Sequence, residues 1–303
     1  MKKIFIFNRP SAIWIPWLGT LADWVKEKLG FEVIPPGAEI PSDADLILNY
    51  SHSPNVAKLP KRIKVITWVS DAHVHFRNGV PDEKLLMAAF AVWERSDLIM
   101  SASNEYFRNQ YPQFADKLVW LATSCFVPHK GYANLPFNEN PQMRCLLSGC
   151  ANLLYYPLRH HVVRRCQKYK PHERLIDIVS KTPKGKGRWK YVEDIYAKWL
   201  NQYFCCVTSA SIFRYAVMKY SEIPAAGSLL LAEDVSDVRK MGFIPGKHFV
   251  AITKENVMSQ IKSCLRHPEK YEGVRREGME FARANRTVFN VFEDLKKIIQ
   301  DFA

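Results

Sequence analysis

Lys219-Tyr220-Ser221-Glu222-Ile223-Pro224-Ala225-Ala226-Gly227, running into Ser228-Leu229-Leu230-Leu231, is the stretch from which the fold can be read. A charged residue opens a short helix, small residues follow, and a glycine leads into an unbroken apolar strand. A strand of that kind belongs in a parallel sheet covered on both faces. The order places the Glu222 carboxylate near a helix N-terminus, close to the sheet edge. There a carboxylate can accept hydrogen bonds from vicinal hydroxyls, such as those of a ribose. The competing reading is an ordinary helix start, since short motifs recur by chance.

Outward from this stretch the second half keeps one rhythm. Strands are expected at 144–148, 175–179, 204–208, 228–231 and 249–252, and helices at 157–169, 191–202, 217–226 and 254–265. The first half repeats it. Apolar, β-branched strands are expected at 3–8, 31–35, 46–50, 63–69 and 98–101, with 117–122 closing the half. Leu18, Leu21, Val25 and Leu29 recur at helical spacing, and 83–95 and 104–110 read as helices. Between the halves, 126–142 carries Pro128, Gly131, Pro136 and Pro141 and reads as the connection between domains.

The bulk numbers agree with two globular domains. A chain of 303 residues, 48% hydrophobic and 24% charged, is neither disordered nor a coiled coil. Its longest apolar run, Leu85 to Trp93, falls short of the ~20 residues of a membrane span and suits a buried helix. Lys2-Lys3 before Ile4 to Phe7 is too short for a secretory signal and reads as the first strand. The 7 cysteines, odd in number and without CxxC spacing, point to reduced thiols in the cytoplasm. The net charge of +13 is concentrated between Arg159 and Lys190. Such a run is a nucleic-acid patch, a field drawing in a small polyanion, or a solvated face. Apolar residues and the Gly185-Lys186-Gly187 loop break it up, which favours a folded surface around a diphosphate.

The stretch at 219–227 resembles the donor-nucleotide motif of group-1 glycosyltransferases, and more closely that of their spore-maturation CgeB-like branch, which prefers Lys-x-x-Glu-Ile-x-Ala-x-Gly. Around it, Leu146-Leu147-Ser148-Gly149, Tyr156-Pro157-Leu158-Arg159, His267-Pro268 and the helix bearing Arg275, Arg276 and Gly278 follow in the family's order. The resemblance covers about residues 143–303 and is weak before them. It implies an α/β chain of GT-B architecture, two Rossmann-like domains facing across a cleft. The first domain, 1–130, would take the acceptor and the second, 143–285, a nucleotide sugar, with a helix at 286–303 expected to cross back to the first. The activity implied is transfer of a sugar from a nucleotide diphosphate, a UDP-sugar favoured, to a hydroxyl of a glycan or glycoconjugate. No residue separates uridine from guanosine.

Such a transfer must neutralise a leaving diphosphate, hold a nucleoside and deprotonate an acceptor. Asp43-Ala44-Asp45 has metal-binding spacing, but it precedes a strand and so lies at the wrong sheet edge. No metal or other cofactor is therefore expected. The diphosphate is expected at Ser148 and Gly149, through backbone N–H groups, with Arg159, Lys186, Arg188, Arg214 and Lys219 as cations. Each of these is by itself as well explained as a solvated surface charge. Arg214 stands eight positions before Glu222, where group-1 enzymes often carry a second Glu; that carboxylate role is missing here. Glu222 is the ribose ligand, and Tyr191 a candidate to stack on the base or to sit in the core. Asp71, at the carboxyl end of the strand 63–69, is the general base, seconded by His73. The alternative for Asp71 is a helix or turn cap. His75 and Trp14 are assigned to the acceptor. Two other functions compete: a nucleotide-sugar epimerase of the same fold, and a nucleic-acid-binding protein using the 159–190 run.

Overall fold

The computed structural model describes residues 1–7, 16–50, 53–69, 76–77, 80–123, 125–127, 129–179 and 195–303. They form two compact units, Met1–Ser124 with Phe289–Ala303, and Cys125–Val288.

The first unit is built on a parallel sheet ordered β2-β1-β3-β4-β7-β8. Its strands are β1 (Lys3–Ile6), β2 (Phe31–Ile34), β3 (Leu46–Asn49), β4 (Lys64–Val69), β7 (Leu98–Ser101) and β8 (Leu118–Trp120). A separate hairpin pairs β5 (Phe76–Arg77) with β6 (Val80–Pro81). Successive residues of a strand face opposite ways, so each apolar run feeds two cores. Phe5, Leu46, Leu48, Ile66 and Trp68 meet the Pro16–Leu29 helix and Phe292, Leu295 and Ile299 of the Val288–Phe302 helix. Ile4, Ile47, Val65 and Ile99 meet Ala89, Val92 and Trp93 of the Glu83–Arg95 helix. The run Leu85 to Trp93 is thus not buried all round. A nine-residue stretch of helix passes through every face, and Met87 is left 60% exposed.

The second unit carries the parallel order β10-β9-β11-β12-β13. Here β9 is Gln142–Ser148, β10 Ile176–Val179, β11 Tyr203–Val207, β12 Leu229–Ala232 and β13 Val250–Ala251. One face packs on the helices Pro157–Lys168 and Val257–Arg266, through Leu158, Val162, Ile261 and Cys264. Helices Tyr196–Asn201, Lys219–Ala225 and Glu272–Asn285 pack against β11 and β12. All 7 cysteines are free, and Cys145, Cys205, Cys206 and Cys264 are core side chains.

The stretch expected as a plain connection, 126–142, belongs to the second unit and sends three side chains into its interior. Phe126, Val127 and Tyr132 are buried, and His129–Tyr132 forms a turn of helix. Its prolines and glycine argue against long regular elements, but its aromatic residues need a core. Among the described residues no helix is long and apolar enough to cross a membrane.

Candidate functional site

In the second sheet β10 lies on one side of β9, after which the chain crosses over to lay β11 on the other. Ligands of open α/β sheets bind at such a switch point, outside the carboxyl ends of the two central strands. Residues following Ser148 and Val207 border that crevice here.

Arg159 spans it. Its side chain turns inward from the first turn of the Pro157–Lys168 helix and is 3% exposed. One guanidinium nitrogen donates to the Cys150 carbonyl at 3.2 Å. The other donates to the Thr208 hydroxyl at 2.8 Å and the Ser209 carbonyl at 3.2 Å. The Tyr156 ring lies 4.2 Å from the guanidinium. The Arg159 Nε has no partner among the described residues. All these contacts are to neutral groups, and burial pulls the guanidinium pKa down. A buried cation held this way costs several kcal/mol until an anion joins it.

Lys219 enters from the opposite helix. Its Nζ donates to the Tyr196 hydroxyl at 2.7 Å, and that hydroxyl shares a 2.6 Å hydrogen bond with Ser148 Oγ. A Cβ at Gly149 would stand 3.1 Å from Lys219 Cε and 3.9 Å from Arg159 Nη1. Glycine at φ +92 therefore makes room for two cations as well as for the turn.

These contacts bear on the backbone role expected at Ser148 and Gly149, and correct it for Gly149. The Ser148 hydroxyl is engaged by Tyr196, and the Gly149 N–H donates to the Val179 carbonyl at 2.9 Å, prolonging the ladder with β10. The N–H groups of Cys150 and Ala151 come next, and neither donates to a backbone carbonyl among the described residues. The anion-facing backbone thus begins one residue later than the motif suggests.

Glu222 lies one helical turn beyond Lys219 and is 4% exposed. Burial raises its pKa, while Lys219 and the Tyr132 hydroxyl favour the charged form. Burial lowers the pKa of Lys219, Glu222 raises it, and Arg159 lowers it further. Each charge is partly compensated by the other. The Tyr132 hydroxyl beside Glu222 is wholly buried and in hydrogen-bonding geometry with no described group.

Of the residues singled out from the sequence, the structure brings together Glu222, Lys219, Arg159, Ser148 and Gly149. Arg214 is exposed, in the left-handed region at φ 53, and its charge acts on Glu233, just beyond β12. Lys186, Arg188 and Tyr191 lie outside the described residues, as do Asp71, His73, His75 and Trp14. Asp43 pairs with the Lys2 ammonium at 2.8 Å, and Asp45 accepts from the Lys2 N–H at 2.6 Å. Both stand just before β3, at the amino edge of the first unit's own sheet. Within the basic run, Arg164, Arg165, Lys168 and Lys170 are exposed, whereas Arg159 is spent inside. Tyr132, Tyr196 and Thr208 escaped sequence reasoning. Their only signal is a hydroxyl at a position that is otherwise core.

Residues 159–297 match a protein family described as glycosyl transferase-like. Over 100% of its length the chain superposes on 99% of sucrose-phosphate synthase from Thermosynechococcus elongatus, with 12% identity and a TM-score of 0.65. HepE from Anabaena, in complex with UDP and glucose, gives 11% identity and a TM-score of 0.61, with 99% of each chain covered. The pneumococcal O-GlcNAc transferase GtfA, in complex with UDP and GlcNAc, gives 14% identity and a TM-score of 0.53. There 85% of this chain matches, and it spans 56% of GtfA. No curated protein sequence matches the chain. The fold is that of GT-B glycosyltransferases.

Proposed function

We propose that this chain, a glycosyltransferase of GT-B fold, moves a sugar from a UDP-sugar to a hydroxyl of a glycan or glycoconjugate, without a metal ion. The observation that carries the reading is the set formed by the buried Arg159 and Glu222 with the half-buried Lys219 at the switch point of the second sheet. The two cations and the N–H groups of Cys150 and Ala151 receive the diphosphate; Glu222 accepts from the ribose hydroxyls. UDP in the HepE and GtfA complexes supports uridine as the nucleoside.

In the reaction the acceptor oxygen attacks the anomeric carbon, and the bond from that carbon to the diphosphate oxygen breaks. The acceptor's proton passes to a base, Asp71 with His73 as its second. The new negative charge on the diphosphate falls where Arg159 and Lys219 already wait, so fixed cations replace solvent reorganisation. His75 and Trp14 are placed with the acceptor, and Lys186, Arg188, Arg214 and Tyr191 with the donor. No observation favours the epimerase or the nucleic-acid alternative.

Glu222→Ala tests the nucleoside end. Loss of hydrogen bonds to a charged group should weaken UDP binding by about 1–3 kcal/mol. In the wild type, affinity should fall as the pH drops through the raised pKa of Glu222, because the protonated carboxyl is the poorer acceptor. The variant should lose that pH dependence. Calorimetric UDP affinity that is unchanged by the substitution would refute the assignment.

A further inference from the structure

The helix that carries Glu222 ends in three successive carbonyls, at Ala225, Ala226 and Gly227, and each is held by a different side chain. Arg283 donates to Ala225 at 2.9 Å and to the Leu135 carbonyl at 2.6 Å. Asn201 donates to Ala226 at 2.7 Å and to the Pro136 carbonyl at 3.1 Å. Arg275 donates to Gly227 at 2.9 Å and to the Asn138 carbonyl at 3.1 Å. Three side chains thus staple one short irregular segment to the end of one short helix, carbonyl by carbonyl.

The joint is closely packed as well as hydrogen-bonded. Arg275 is 1% exposed and stacks on Phe137 at 4.6 Å and Phe204 at 4.9 Å. A Cβ on Gly227, at φ +80, would meet Met279 at 3.2 Å and Phe137 at 3.4 Å. A Cβ on Gly278 would stand 2.6 Å from the His248 carbonyl oxygen and 3.4 Å from Pro224 Cβ. Helix and segment are fixed with little freedom to slide.

The stapled segment follows directly on Tyr132, whose buried, unpartnered hydroxyl sits beside the Glu222 carboxylate. We propose that Arg283, Asn201 and Arg275 are positioning residues of the donor site: they hold Tyr132 against Glu222, so that the carboxylate is aimed at a ribose diol. The inference rests on the assignment of Glu222 to ribose. A staple with only a structural role would affect stability and all nucleotides alike. A staple that aims Glu222 affects the recognition of hydroxyls.

The test compares UDP with 2′-deoxy-UDP by calorimetry. The wild type should prefer UDP by about tenfold, the scale of one hydrogen bond to a charged group. Tyr132→Phe keeps the ring and removes only the hydroxyl, and Arg283→Met keeps the stem and removes the donors. Both should lose most of the preference, and Arg283→Lys, which retains a donor, should restore part of it. If Arg283→Met fails to fold, Tyr132→Phe still decides. A preference that survives intact in Tyr132→Phe, or in a folded Arg283→Met, overturns the positioning role while leaving Glu222 in place. Equal binding of the two nucleotides by the wild type instead overturns the assignment of Glu222 itself, and this inference with it.

Discussion

Asp71→Asn should lower kcat by about 10²–10⁴-fold, the range for a lost general base, and leave UDP affinity as it was. The substitution keeps the shape of the side chain and removes its basicity. The argument starts from β4, whose buried residues Val65 to Val69 lie in the middle of the first unit's sheet and point the chain towards its carboxyl edge. Asp71 follows two residues after that strand. Because the nucleotide is assigned to residues of the second unit, the effect should fall on turnover and not on donor binding. His73→Ala should cost less if His73 only orients the acceptor. Transfer at near wild-type rate by Asp71→Asn would move the base to His73 or His75.

Arg159→Met should weaken UDP binding by about 3 kcal/mol, roughly 100-fold, because charge-assisted contacts to phosphate are among the strongest hydrogen bonds available. Its effect on folding should be much smaller, for two terms oppose each other. Removing the guanidinium leaves the Cys150 and Ser209 carbonyls and the Thr208 hydroxyl without their donor. It also removes a cation whose burial is itself costly without an anion. Net stability should therefore change little, and the thermal midpoint should move by only a few degrees. UDP, in turn, should raise the midpoint of the wild type far more than that of Arg159→Met. Equal UDP affinity in the two proteins would show Arg159 to be a purely structural clasp.

Much of the fold was legible because parallel strands buried on both faces are written as unbroken apolar runs. Leu98–Ser101, Glu83–Arg95 and Asn104–Gln110 begin and end where their patterns do. The apolar run at 85–93 misled in one respect. Hydrophobicity marks what can be buried, and a helix on a single sheet face has only one side to bury. The segment after Ser124 misled in another, since proline and glycine report backbone geometry and say nothing of depth.

At the site, Glu222, Lys219 and Arg159 could be read because a short motif and a conspicuous charge mark them. Tyr196 and Tyr132 could not. The Tyr196 hydroxyl bonds to Lys219 and Ser148, and the Tyr132 hydroxyl lies beside Glu222; these groups are distant in sequence and meet only after folding. The offset at Gly149 was hidden for a similar reason. Whether its N–H is free depends on how far the ladder with Val179 runs, which no local pattern encodes.

The central claim is that the second unit binds a nucleoside diphosphate through inward-turned side chains and backbone, with no metal. Calorimetric titration of the wild-type chain with UDP and with uridine, both in excess EDTA, tests it most directly. UDP should bind at least 100-fold more tightly than uridine, about 2.7 kcal/mol, and added Mg²⁺ or Mn²⁺ should change its affinity little. UDP binding that is absent in EDTA and restored by either ion, or that is no tighter than that of uridine, would contradict the account.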